Sequence, residues 1–211
     1  MAGRESCEYS KWGETVMEKL ILVGGGGHCK SCIDVIEQEG QYKISGILDQ
    51  EEFIGQKVLG YEIIGSDNCM EKYASESYIF LITVGQIRSS SLRKELFAKL
   101  QACNAEIATI ISPRAYVSKH ASIGKGTIVM HDALVNADVS IGENCIINSK
   151  ALIEHDTIIE DFCHISTAAV LNGGTVVKEG SFFGSNAVSK EYAETSIDDF
   201  IKAGTTFKGN S

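Results

Sequence analysis

No run of 18 apolar residues occurs in the 211-residue chain, so nothing in it reads as a membrane-spanning helix. An excess of positive charge is missing as well. Nineteen lysines and arginines stand against 28 aspartates and glutamates, and a net charge of −9 lacks the basic footprint of broad nucleic-acid binding. A local pocket for a phosphate remains compatible with that balance. Residues 1–16 lack the apolar core of a signal peptide. They read as a disordered leader or appended extension, with Met17 opening the folded part. Of the seven cysteines, Cys29 and Cys32 fit the C-x-x-C spacing, but no second pair completes a zinc site and the flanking residues lack redox character. Reduced thiols in a cytoplasm fit this usage, and no metal is expected.

What is present divides near residues 110–113. Before that point strands alternate with helices. Residues 19–23 (Lys-Leu-Ile-Leu-Val) read as a buried parallel strand, and the glycine loop 24–27 follows. Residues 29–39 carry Cys32, Ile33, Val35 and Ile36 at helical spacing. Residues 42–48 and 78–84 read as strands, 90–102 as a helix with Leu92, Leu96, Phe97 and Leu100 inside, and 106–111 as a last short strand. Alternating strands and helices imply a small Rossmann-like parallel α/β sheet.

After Pro113 the period becomes six. From Val117, every sixth residue through Ile123, Val129, Val135, Ile141, Ile147, Ile153, Ile159, Ile165, Leu171 and Val177 to Phe183 is bulky and apolar. Four places after each stands a small or β-branched residue, from Ala121 and Thr127 to Ser181 and Ala187. A triangular coil explains both sets. Each flat face is one hexad long and points one large side chain inward, with room beside it only for a small one. Stacked coils then bury a core that no single repeat could bury. An amphipathic helix, with its period near 3.6, cannot produce the pattern. The sequence therefore predicts a left-handed parallel β-helix of four coils. Its register ends after Val188, residues 190–195 read as a loop, and residues 197–207 as an incomplete last coil or cap. The expected domains are 17–110 and 111–211.

This order of parts resembles the NeuD/PglD-type bacterial sugar O-/N-acyltransferases. Three passages carry the resemblance: Val23-Gly-Gly-Gly-Gly-His28, Thr83-Val-Gly85, and Asn148 to Asp156 (Asn-Ser-Lys-Ala-Leu-Ile-Glu-His-Asp) with Cys163-His164. It implies a homotrimer with active sites between neighbouring prisms, acetyl-CoA as co-substrate along the β-helix, and a nucleotide sugar or sialic acid at the N-terminal domain.

His155 is the candidate general base. It lies two residues after the inward Ile153, at a corner, so its ring should face outward. Acyl transfer needs an acceptor freed of a proton, and imidazole titrates near operating pH. Asp156, or alternatively Glu154, would fix its tautomer. By resemblance Asn148 belongs to the same catalytic set, and His164, Gly173 and Ser185 contact acetyl-CoA. Gly173 and Gly174 lie one coil beyond His155, where missing side chains would admit a pantetheine arm. Gly26, Gly27, His28, Asp49 and Gly85 would line the nucleotide-sugar site, with loop amides toward phosphate and Asp49 toward a ribose hydroxyl. The dinucleotide fingerprint is incomplete, because Cys29 and Lys30 stand where its third glycine is due. Departures from the family pattern are Asp49-Gln50 in place of two acids and an atypical C-terminal coil, of which residues 201–204 are the nearest remnant.

The sequence thus predicts an acetyl-CoA-dependent acetyltransferase acting on the amino group of a nucleotide-linked sugar. Sialic acid O-acetylation is the alternative chemistry. A non-catalytic sugar-nucleotide-binding protein is the alternative class, though it leaves Asn148, His155 and Asp156 without a purpose. A zinc hydratase on the same prism would need a close histidine pair that His120, His131, His155 and His164 do not supply.

Overall fold

The computed structural model describes residues 17–209, so the expectation for residues 1–16 lies outside the described residues. The N-terminal part runs β1 (Glu18–Val23), α1 (Gly27–Glu39), β2 (Tyr42–Leu48), β3 (Lys57–Val58), β4 (Tyr61–Gly65), α2 (Met70–Ser75), β5 (Ile79–Ile82), α3 (Ser91–Ala102) and β6 (Glu106–Ile107). The sheet order is β3-β4-β2-β1-β5-β6, parallel except for the β3–β4 pair. Side chains of a strand alternate between faces. In β1, Leu20 and Leu22 accordingly pack on α1 through Cys32, Ile33 and Ile36, while Ile21 and Val23 pack toward Leu96, Phe97 and Leu100 of α3.

Three details depart from the sequence reading. Strand β4 and helix α2 were not expected, because Tyr61–Gly65 is short and α2 has a single turn and a half with little apolar periodicity. Leu92 is exposed rather than inside, and Arg93 takes the buried place on α3. Residues 106–111 form two strands. Glu106–Ile107 ends the N-terminal sheet, and Ile110–Ile111 is the first rung of the second part.

From Ile110 the chain winds as a left-handed parallel β-helix. Two-residue strands recur every six residues and pair in parallel with the strand 18 residues on, as in Ile128↔Ile146 and Val129↔Ile147. Two faces are six rungs deep; the third has four rungs and an isolated bridge between Val176 and Glu194. The inward column from Val129 to Phe183 is buried with Ala133, Val139, Cys145, Ala151, Cys163, Ala169 and Ala187 beside it. From Gly126 on, each corner is turned by a left-handed residue three places after the inward one, such as Asp132 (φ 59), Asp138 (φ 61), Asn144 (φ 51), Asp156 (φ 61) and Gly174 (φ 68). Asp, Asn and Gly tolerate that conformation best, which is why they crowd the corners.

The register does not end after Val188. It continues through Ser189, Thr195, Ile201 and Phe207, with the first three buried. The expected break was a change of residue type, not of geometry. Ser189 and Thr195 face the interior because their hydroxyls find partners there: Ser189 bonds Thr175 at 2.7 Å, and Thr195 accepts the Lys178 amide at 2.8 Å. A buried hydroxyl that is hydrogen-bonded replaces an apolar side chain at modest cost. The helix is therefore more than one coil longer than the four expected.

One face of the prism is covered by the N-terminal part. Its outward residues Ile110, Ile128 and Ile146 join the core around α1. On the next face Tyr116, Leu134, Leu152, Val170 and Val188 form an outward apolar ladder that is exposed or half-buried.

Candidate active site

The glycine loop joins β1 to α1. Gly24 adopts φ +102, and a Cβ there would collide with Val84. Thr83 explains why the second passage accompanies the first: its hydroxyl donates to the Gly24 carbonyl at 2.6 Å and lies 3.1 Å from that of Val23. The two strand ends are thereby tied together. Gly26 and Gly27 have open space where a Cβ would point, so ligand atoms can reach the backbone at the start of the 13-residue helix α1. Orphan amides and the helix dipole favour an anion there.

A cavity of about 620 Å³ opens over this loop. Gly26, Gly27, His28, Asp49 and Gly85, the five residues expected at the nucleotide-sugar site, all line it. His164 of the β-helix closes it, and Phe53, Ile87 and Leu92 add apolar wall. Asp49 is already engaged. Its carboxylate accepts the Gly25 amide at 2.5 Å and the Gln50 amide at 2.7 Å, so it braces the loop as well as facing the cavity. The neighbouring Cys29–Cys32 pair is buried, and burial pushes the Cys29 thiol up to about 11 and that of Cys32 higher still. Such thiols stay protonated and unreactive.

The wall between the two parts is polar and buried. His164 Nδ1 donates to the Gln86 carbonyl, and Asn148 Nδ2 donates to His164 Nε2 at 3.1 Å. Burial, against the Gln86 bond, pushes the His164 pKa down to about 4. Burial and the nearby Arg93 charge push His28 down to about 3. Both rings are neutral at pH 7. The structure therefore joins Asn148 to His164 at the cavity. Its side-chain oxygen takes the Ser149 amide.

Sequence reasoning missed two residues here. Gln86 donates to the Phe162 and Gly180 carbonyls at 2.7 and 3.1 Å, pinning the loop after β5 to the prism. Arg93, 1% exposed, donates to the carbonyls of Ile82, Val84 and Asn144 and to the Asn144 side chain. Nothing in a single sequence marks an arginine as buried. The only available signal was its place among the apolar positions of α3.

His155 occupies a separate corner. Its ring is exposed, and Nδ1 donates to Asp156 Oδ2 at 2.7 Å. That bond raises its pKa and makes Nε2 the ring nitrogen that can accept a proton. Glu154 instead takes a bond from Asn136 at 2.9 Å, which leaves Asp156 as the orienting acid. The coil above supplies the space for the ring. A Cβ on Gly173 would lie 2.8 Å from His155 Cε1 and 3.0 Å from Nε2. On Gly174 it would meet the ring of Tyr192, 2.5 Å from Cε1. The room that the sequence reading reserved for a ligand at these glycines is occupied by two side chains. Ser185 lies at another corner, 2.9 Å from the Ser166 hydroxyl. Among the described residues no group of three or more His, Cys, Asp or Glu is arranged to hold a metal ion, and no helix is long and apolar enough to cross a membrane.

Residues 19–100 match the family model of the PglD N-terminal domain, and residues 120–155 match that of the bacterial transferase hexapeptide (six repeats). The UDP-N-acetylbacillosamine N-acetyltransferase of Bacillus subtilis (strain 168) is 35% identical over 118 residues, 54% of this chain and 52% of that protein, so the match spans about half the length of the relative. The acetyltransferase domain of PglB from Neisseria gonorrhoeae FA1090, in complex with acetyl coenzyme A, superposes with a TM-score of 0.83 at 28% identity, covering 90% of this chain and 93% of that one. PerB from Caulobacter crescentus, in complex with CoA and GDP-perosamine, gives a TM-score of 0.84 at 27% identity over 92% and 91% of the two chains. With the glycine-loop domain and the prism in the same order as the two matched models, the chain is similar to the NeuD/PglD-type sugar acyltransferases: a PglD-type N-terminal domain followed by hexapeptide repeats.

Proposed function

We propose that this protein is an acetyl-CoA-dependent N-acetyltransferase acting on a nucleotide-linked amino sugar. The single observation that carries the reading is the outward His155–Asp156 pair, held over a glycine at the edge of the prism. Acetyl-CoA and a nucleotide amino sugar are bound by the relatives whose structures this chain resembles, which supports the same pair of substrates here.

The chemistry follows from the residues. Asp156 fixes Nδ1–H, so His155 Nε2 accepts a proton from the sugar amine as its nitrogen bonds to the thioester carbonyl carbon. The carbon–sulfur bond then breaks and the thiolate leaves, taking up a proton to become the free thiol. Neutral His28 and His164, with the open backbone of Gly26 and Gly27, form the surface that receives the nucleotide sugar. Gly173 and Ser185 are assigned to the acyl donor and Asn148 to the substrate side of the centre, while His164, expected at the donor, is assigned with its partner Asn148 to the cavity wall.

A homotrimer completes the proposal. The apolar ladder of Tyr116, Leu134, Leu152, Val170 and Val188 suits burial against a second copy. It would bring the nucleotide cavity of one protomer toward the His155 corner of the next. The test is incubation with acetyl-CoA and a panel of UDP- and GDP-linked amino sugars and their hydroxyl counterparts, following free thiol. Thiol release that depends on an amino sugar supports the reading. Release only with a hydroxyl counterpart, or none with any acceptor, overturns it.

A further inference from the structure

We propose that Tyr192 positions the acyl donor, holding the thioester end of its arm beside His155. This inference rests on the acetyltransferase reading above.

Three residues stacked at one corner carry it. Asp156, Gly174 and Tyr192 are left-handed corner residues one coil apart, with φ of 61°, 68° and 56°. The Gly174 amide donates to the His155 carbonyl and the Tyr192 amide to the Gly173 carbonyl, both at 3.0 Å, so the coils are locked in register here. Successive coils are ~4.8 Å apart, the spacing of neighbouring strands. From below, the His155 ring reaches over Gly173; from above, the Tyr192 ring lies back over Gly174. Both rings thus converge on one Gly-Gly step from opposite sides.

Burial does not account for the tyrosine. It is 79% exposed, the most exposed of the large apolar and aromatic residues described, and an aromatic residue at positive φ is uncommon. Its ring rests on bare backbone that any side chain at position 174 would have covered. An exposed aromatic face fixed against backbone, next to a base, is a preformed surface with little rotamer freedom left to lose on binding.

The donor rather than the acceptor fits this surface. A long, thin arm whose reactive end meets His155 can leave along the prism edge in either direction. Toward the N-terminus the edge is filled by the Asn136–Glu154 hydrogen bond and the Asp138 carboxylate corner. Toward the C-terminus the next coil presents the side-chain-free Gly173 and Gly174, and the coil after it Glu191 and the ring of Tyr192. A polarisable sulfur packs favourably against an aromatic ring. The nucleotide cavity, by contrast, opens at His164 and the glycine loop.

The experiment measures acetyl-CoA binding by titration calorimetry and separate KM values for donor and amino sugar, with wild type, Tyr192→Phe, Tyr192→Leu and Tyr192→Ala. Wild-type binding of acetyl-CoA tests the underlying reading first, and its absence overturns both. The proposal expects Tyr192→Ala to weaken acetyl-CoA about 10-fold in Kd and KM, with the amino-sugar KM unchanged. Tyr192→Phe, which keeps the ring face, stays within about twofold, and Tyr192→Leu falls between. Wild-type donor affinity in Tyr192→Ala refutes the proposal. So does a loss confined to the amino-sugar KM, or an equal loss in Tyr192→Phe.

Discussion

Gly173→Ala isolates the seat of the imidazole from everything else in the protein. The added Cβ would stand 2.8 Å from Cε1 and 3.0 Å from Nε2 of His155. Carbon atoms rest at about 3.5–4.0 Å, so the ring must withdraw by roughly 0.7–1.2 Å. It can do so, because it is exposed, but only by stretching or turning away from its 2.7 Å bond to Asp156. The backbone is no obstacle, since Gly173 does not adopt a positive φ and alanine also narrows the unfolded ensemble. Folding stability should therefore stay level or rise slightly. A misplacement near 1 Å at a reacting group costs up to about 10²-fold in rate. The expected outcome is a kcat/KM lower by roughly 10- to 100-fold, with an unchanged melting temperature. Thiol release under saturating acetyl-CoA reads the first and thermal melting the second. A variant as active as wild type would refute the reasoning, because the ring would then have no need of that space.

The remaining expectations concern protonation. The Asp156 bond raises the His155 pKa, so the base is lost on the acid side and kcat/KM should fall below a limb lying above the ordinary histidine value of 6.5. Asp156→Asn should lower the rate and move that limb toward 6.5; a pH–rate profile whose limb stays in place contradicts the pairing. His164, with its folded pKa down at about 4, is held neutral. The unfolded chain takes up the proton first as pH falls below 6.5, so stability present above 6.5 is lost toward pH 4. The loss is about 1.4 kcal/mol per pH unit from this one group. Denaturant melts at pH 7 and pH 5 should show the drop, and His164→Gln should make it shallower, leaving the share that the neutral His28 carries in the same way; equal dependence in both proteins would mean the His164 ring is not held neutral.

Much of this architecture was written in the spacing. The hexad column from Val117 to Phe183 fixed the prism because a large inward residue at every sixth place admits no other regular winding. The His155 corner followed by counting two places from Ile153. The counting misled at Ser189 and Thr195, where the backbone keeps the period while hydroxyl pairs replace bulk. Periodicity of hydrophobicity cannot detect a period carried by hydrogen bonds. The glycine loop and Gly85 were legible as a strand-to-helix turn, and all five expected residues face one cavity. What could not be read was long-range contact. Gln86 and Arg93 take their roles from carbonyls at Phe162, Gly180 and Asn144, far away in sequence. Asn148 was grouped with His155 through the resemblance, and its bond to His164 on the next coil is a contact no spacing announces. Tyr192 carries no spacing signal at all until the coils are stacked.

The central claim is that the imidazole at the prism edge removes the proton during acyl transfer. Its most direct test is thiol release by His155→Ala beside His120→Ala, at saturating acetyl-CoA and with the amino sugar that wild type accepts. The account predicts a loss of about 10²-fold or more for His155→Ala and wild-type turnover for His120→Ala. Equal turnover in His155→Ala and wild type would contradict it.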